Sequence, residues 1–397
     1  MSKQQSDDEE IATSVLAGHG RHGSGEVTVL QDPNDPDSVI IRTRKRVRKH
    51  AHRTKKRKMS PGVRALVVVL GVVLGLATAV GISLAIAVYM GNMNLHKVLE
   101  DKGEAIGNTA AKASNDGQLV EYKGHTYEYN KDVVSFVLIG HDDEQLAGYE
   151  GRSLADTIVL FTFNTANNKV RATVVPRNTW CGVDLFDENG NYTTTRDMQI
   201  TLSHGVNLPT AGECAQNTVR SVSRLMYNMP MTYYVDFGRE VVSNAATAVG
   251  GVQVEALETI PGTEIVEGET YLLDGDLAYS YVSYRETDKD ESALDRQERQ
   301  AQFIRAFAAK VAGMGVPGIL DVYNGISADL VTNLGISEVS YLASCFVLGD
   351  NAELEVAQLK GKTKVGLEAD GEEYEQYHLS KDSVLQNTLA AYYTQKD

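Results

Sequence analysis

Cysteine is scarce in this chain: Cys181, Cys214 and Cys345 are the only three among 397 residues, so at most one intrachain bridge can form. Three pairings are open. Cys181–Cys214 is the expected one, because both residues fall in a loop-rich stretch; the alternative is three unpaired residues, with Cys345 inside an apolar helix. Charge is missing altogether from Ala65 to Tyr89. Twenty-five helical residues rise about 37 Å, enough to cross a bilayer core of about 30 Å with some tilt. Beyond that segment positive charge is in deficit. Residues 1–64 hold 14 Lys+Arg against 8 Asp+Glu, a net of +6, so the whole-chain −15 leaves −21 for the remainder. A region so acidic is excluded from gripping a polyanion through its overall field; phosphate would have to meet a few local arginines or a metal ion. Internal repeats are absent, and the basic segment carries no helix-turn-helix pattern.

That basic segment is dense. Arg42–Lys58 contains eleven Lys or Arg and two His, close to the start of the apolar run. Positive charge beside a spanning helix stays on the cytoplasmic side, which predicts residues 1–62 as a disordered basic cytoplasmic tail and 63–90 as a transmembrane helix. Everything from about Gly91 onward is then outside a cell membrane crossed once, beginning with a polar extracellular stalk over 91–130. A cleaved signal peptide would sit nearer the terminus, with only about 7–15 apolar residues. A nucleic-acid patch is the other reading of the lysines and arginines, but their place against the helix is explained by orientation and by attraction to anionic headgroups. No nucleic-acid partner is expected.

The remainder alternates apolar strands with amphipathic helices. Val133–Ile139, Thr157–Phe163, Val170–Val175, Thr232–Phe237 and Val252–Leu257 read as strands. Cys214–Tyr227 and Arg239–Val249 read as helices, the second stopped by Gly250-Gly251. The pattern predicts an α/β fold, a layered α-β-α sandwich with a mostly buried mixed sheet. In the helix predicted over Leu294–Ala312, Arg296, Gln300, Phe303 and Phe307 share one face, with Arg299 beside them.

Ligands of such sheets bind beyond the carboxyl ends of strands. There the chain places Gly140-His141-Asp142-Asp143 after the first strand, Asp156 before the second, and Pro176-Arg177-Asn178 after the third. Carboxylates can hold Mg²⁺ and arginine can pair with phosphate oxygens.

The order Leu138-Ile139-Gly140-x-Asp142, Arg152-Ser153-x-x-Asp156-Thr157-Ile158 and Val175-Pro176-Arg177-x-Thr179 resembles the LytR–CpsA–Psr family of cell-envelope proteins. Ala248-Val249-Gly250-Gly251-Val252, Leu273-Asp274-Gly275, Tyr284-Arg285 and Arg296-x-x-Arg299-Gln300 follow in that family's order. The resemblance covers 131–312 as the catalytic domain and leaves 313–397 as a C-terminal extension packed on it. It implies a Mg²⁺-dependent phosphotransferase of Gram-positive cell-wall assembly, with a pyrophosphatase side activity. Such a protein moves a glycopolymer, a teichoic acid or capsule, from a polyprenyl-pyrophosphate carrier to a peptidoglycan hydroxyl through a phosphodiester. It further implies Asp142 and Asp156 on the metal, and Arg177, Arg285, Arg296, Arg299 and Gln300 around the pyrophosphate. Phe303 and Phe307 would line a tunnel for the lipid. The chemistry suits this set, since phosphoryl transfer relies on positioning and charge stabilisation more than on a covalent nucleophile.

Three positions depart from the family pattern. Asn178 stands where an acid is usual, Ser283 where a second arginine is usual, and Ala293 where another acid is usual, leaving Asp290 or Asp295 as substitutes. The alternative function is therefore a non-catalytic member that binds the polyprenyl lipid or scaffolds envelope machinery.

Overall fold

The structure is a computed structural model and describes residues 26–32, 35–44, 61–97, 112–114, 117–141, 153–286, 292–349, 354–367 and 373–396. The chain divides into two units, Met1–Val72 and Val73–Asp397. In the first, β1 (Glu26–Asp32) and β2 (Asp35–Arg44) pair as an antiparallel hairpin. This element falls within the tail expected to be disordered; Val27, Thr28 and Val29, paired with a strand that holds Ile41 and Thr43, supply the β-branched residues that favour strands. Helix α1 (Pro61–Lys97) opens on a proline, which suits a first helical turn because its N–H is not needed there. Within it Ala77–Leu95 is long and apolar enough to cross a membrane, by length and composition.

The second unit adds β3 (Lys112–Ser114), β4 (Leu119–Tyr122), β5 (His125–Tyr129), β6 (Val133–His141), β7 (Ala155–Asn164) and β8 (Lys169–Val175). A hairpin, β9 (Trp180–Phe186) and β10 (Tyr192–Gln199), leads to α2 (Ala211–Leu225), β11 (Tyr233–Phe237), α3 (Arg239–Ala248), β12 (Val252–Glu255) and β13 (Thr270–Leu273). Then come α4 (Gly275–Ser283), α5 (Ser292–Ala312), α6 (Gly315–Ile326), β14 (Leu330–Thr332) and α7 (Ile336–Leu348). The chain closes with β15 (Glu355–Gln358), β16 (Gly361–Leu367), β17 (Glu373–Leu379), α8 (Lys381–Tyr392) and β18 (Tyr393–Gln395).

A six-stranded mixed sheet, ordered β14-β11-β6-β7-β8-β15, is the centre of this unit. Alternation along β6 shows why both faces are covered. Val133, Val137 and Ile139 join Val219 and Val222 of α2, Met226 just after it, and α8 (Leu385, Leu389, Tyr392) in one core. Val134, Phe136 and Leu138 face the other way, against Leu342 of α7, Ala308 of α5 and Leu95 of α1. A side-chain period of two on a twice-buried sheet gives the α-β-α layering. A third apolar cluster joins α3, α4 and α6 to the β12–β13 hairpin.

The described parts of the expected stalk, 91–97, 112–114 and 117–130, belong to the fold. β4 and β5 sit in a four-stranded sheet with β3 and β18, and Leu95 is a core residue. The expected Cys181–Cys214 bridge is corrected too: none of the three cysteines is in a disulfide, and all are buried. Cys181 lies on β9, whose pairing with β10 replaces the expected loop, and Cys214 sits in α2 with its thiol toward the Val206 carbonyl at 3.8 Å. Burial pushes the Cys181 thiol up to about 12.

Candidate functional site

The site begins with an irregularity in strand pairing. Gly140 is opposite Thr157 and His141 is opposite Ala155, so Asp156 is an extra residue on β7. A bulge of this kind bends a strand and re-aims a side chain. Because β7 runs antiparallel to β6 and β8, its amino end meets their carboxyl ends at one sheet edge. There the Asp156 carboxylate forms an ion pair with Arg177, which follows Pro176 beyond β8. The two side chains are 17% and 28% exposed, so the pair is open to a ligand. Asp142 lies outside the described residues.

Helix α5 docks on the same edge. Gln300 Nε2 donates to Thr157 Oγ1 at 2.9 Å and to the Val282 carbonyl at 3.3 Å, tying the helix to the neighbour of Asp156 and to α4. Arg296, one turn earlier, is buried. Phe303 and Phe307 stack with ring centroids 6.1 Å apart and pack, half-buried, against the α3–α4–α6 cluster.

Arg299 occupies a different setting from the phosphate-facing one expected. It is 1% exposed and forms an ion pair with Glu258. Its Nε donates to the Tyr281 carbonyl at 2.9 Å and its Nη2 donates to the Tyr284 carbonyl. Those carbonyls end α4, so Arg299 caps that helix and fixes the chain just before Arg285, which is half-buried. Burial pulls the guanidinium down from its ordinary value, and the Glu258 charge opposes that.

One cluster was not read from the sequence. Asp236, fully buried on β11, lies between His204 (Nε2 to Oδ2, 3.2 Å) and His141 (Nε2 to Oδ1, 3.6 Å). The two imidazoles stack at 5.4 Å, and His204 Nδ1 is 2.9 Å from the Ser153 carbonyl. Burial alone would lower the His204 pKa, but the Asp236 hydrogen bond and charge, with the Ser153 carbonyl, leave it raised. An acid at an inward position of an apolar strand was the available signal. Among the described residues no group of three or more His, Cys, Asp or Glu is placed to hold a metal ion.

The sequence matches the model of the LytR_cpsA_psr family over residues 96–391. The chain belongs to the LytR–CpsA–Psr family. The family's span takes in most of the stretches expected to be stalk (91–130) and extension (313–397). A curated relative from Bacillus anthracis, "Polyisoprenyl-teichoic acid–peptidoglycan teichoic acid transferase TagU", is 28% identical over 204 residues, 51% of this chain and 60% of the relative. The chain thus spans less than two thirds of that relative's length. Among solved structures, gbs0355 from Streptococcus agalactiae is similar with a TM-score of 0.51 at 20% identity, covering 66% of this chain and 90% of that one. TagV from B. subtilis is similar with a TM-score of 0.50 at 19% identity, covering 65% and 98%. These likenesses show that the family fold extends to this chain.

Proposed function

We propose that this LytR–CpsA–Psr protein is a membrane-anchored transferase that moves a glycopolymer, of teichoic-acid type, from a polyprenyl-pyrophosphate donor to peptidoglycan. The observation that carries this reading is the bulged, ligand-accessible Asp156–Arg177 pair, with Gln300 tying the arginine-bearing helix to the adjacent Thr157. An acceptor hydroxyl oxygen bonds to the polymer-side phosphorus, the bridging P–O bond breaks, and polyprenyl phosphate leaves while the hydroxyl proton passes to the departing phosphate or to solvent. Arg177, Arg285 and Arg296 supply positive charge for the pyrophosphate oxygens, while Arg299 holds the end of α4. The Phe303–Phe307 pair offers an apolar wall to the lipid.

Mg²⁺ fits this residue set, because it is bound through one or two carboxylates plus substrate phosphates rather than in an all-protein cage. Asp156, with Asp142, would hold it, and it would neutralise charge developing on the pyrophosphate. Pyrophosphatase activity would follow if water took the acceptor's place. The basic run before α1 supports a cytoplasmic N-terminus and a catalytic unit on the outer face.

The test is turnover by the detergent-solubilised full chain with a polyprenyl-pyrophosphate saccharide, Mg²⁺ and peptidoglycan. Arg177→Ala and Asp156→Asn should each slow release of polyprenyl phosphate roughly 10- to 150-fold, the worth of a charge-assisted contact at about 1.5–3 kcal/mol. Unchanged turnover in both variants would sink the site assignment. Lipid binding by wild type without any transfer would instead leave a lipid-binding or scaffolding protein, the reading favoured by Asn178, Ser283 and Ala293.

A further inference from the structure

The C-terminal hairpin reaches the catalytic edge. Thr179 bridges to Tyr377 of β17, the Tyr377 N–H donates to the Asn178 carbonyl at 2.8 Å, and Asn178 Nδ2 donates to Glu375 at 3.4 Å. Strand β17 is therefore fastened to the two residues that follow Arg177. Trp180 comes next, no more than about 11 Å of chain from Arg177.

Trp180 lies over one face of this hairpin. Its ring is 5.8 Å from Tyr374 and 6.4 Å from His378, both tilted. Between those two stands Gln376, which donates to the Tyr374 hydroxyl at 2.9 Å and meets His378 Nε2 at 3.0 Å. Directly opposite residues of an antiparallel pair share a face. The register sets Lys362 against His378, Lys364 against Gln376 and Gly366 against Tyr374. A Cβ on Gly366 would come within 2.6 Å of the Tyr374 ring, so glycine leaves that ring room to lie across the strand. The face thus carries an indole, a phenol, an amide, an imidazole and two exposed lysines, while Glu373 and Glu375 point to the other side. Among the described residues this face carries two lysines and no carboxylate, within a region, residues 65–397, whose charges sum to −21.

We propose that Trp180 and the β16–β17 hairpin form a binding subsite for a saccharide bearing anionic substituents. The flat apolar faces of Trp180 and Tyr374 suit the C–H face of a sugar ring, and the Tyr374 hydroxyl, Gln376 and His378 supply hydrogen-bonding groups for its hydroxyls. Lys362 and Lys364 pair with phosphate or carboxylate on the sugar. The link to catalysis rests on the transferase reading: the subsite would steer a substrate toward Arg177. Donor polymer and peptidoglycan strands both carry this chemistry.

Trp180 is the only tryptophan in the chain, so its emission reports the subsite directly. The solubilised full chain is titrated with purified poly(glycerol phosphate) teichoic acid carrying N-acetylglucosamine, and with neutral chitotetraose. The expected result is a saturable emission change with the polymer, weakened by salt and weakened about tenfold in K362E/K364E, whose sites are exposed and tolerate substitution. Silence toward the polymer, equal affinity for chitotetraose, or an unmoved K362E/K364E titration would overturn the subsite. In turnover, W180A and K362E/K364E should raise one substrate's KM, and the substrate affected identifies the source. Normal KM for both substrates in these variants would overturn the subsite and leave the transferase standing. Polymer binding without turnover would support the subsite and end the transferase reading.

Discussion

A carboxylate with no access to solvent needs compensating groups, and Asp236 has two imidazoles. The consequence is a pH dependence with a defined sign. The folded state raises the pKa of His204, so the protonated imidazole is favoured by folding. That stabilisation is complete below the ordinary imidazole value of about 6.5 and is lost as pH rises through the higher folded value. Melting temperature followed from about pH 5.5 to 8.5 should therefore fall more steeply for wild type than for His204→Gln. Parallel profiles for the two proteins would show that the Asp236–His204 pair contributes nothing to stability. Sequence reading singled out Arg177 and Asp156, because strand ends are visible as the edges of apolar runs. It passed over Asp236 because a single acid inside Thr232–Phe237 does not reveal which partners the tertiary fold brings to it.

At the level of elements, β6, β7, β8, β11 and α5 were legible to within about two residues, since their apolar periodicity is set by the core they bury. The β9–β10 hairpin was not, because β10 reads Tyr-Thr-Thr-Thr-Arg-Asp-Met-Gln and has no apolar stripe. The end of α1 was misjudged for a different reason: a polar stretch after a membrane span looks like a tether. Here it is a docking surface. Gly91 crosses α7 so closely that a Cβ would run into the Ser337 carbonyl. Asn94 Nδ2 donates to Glu338 at 2.6 Å, and its carbonyl accepts from the Tyr233 hydroxyl at 3.4 Å. With Leu95 buried beside them, the helix enters the domain without a flexible joint. Gly91→Leu should push α1 off α7 and cost about 1–3 kcal/mol, the usual penalty of overpacking. Hydrogen exchange at residues 91–95 and in α7 would rise together. Protection in α7 equal to wild type would show that the crossing is incidental.

For the whole molecule, the question is whether residues after Ala312 decorate a complete domain or finish it. β15 pairs in parallel with β8 at the edge of the central sheet, and β18 pairs with β5. Helix α8 covers one face of the sheet with Leu385, Leu389 and Tyr392, all nearly inaccessible to solvent. Tyr392 O also accepts the Asn130 N–H at 2.9 Å, joining the last helix to the turn between β5 and β6. Losing one such large side chain typically costs about 2–5 kcal/mol, against a total stability of about 5–15 kcal/mol for a domain. Three of them, with the β18–β5 pairing, exceed what the fold has in reserve. A chain ending at Ser380 should therefore lack a cooperative thermal transition and be cleaved by protease within β6 and β7. The extension was expected to be packed on the domain, yet its necessity could not be read from sequence, because α8 shows a weak apolar stripe and is buried on several sides at once. A truncated chain that still melts cooperatively within a few degrees of wild type would mean that the sheet and α2 alone make the core, and that the hairpin beside Trp180 hangs from an optional support.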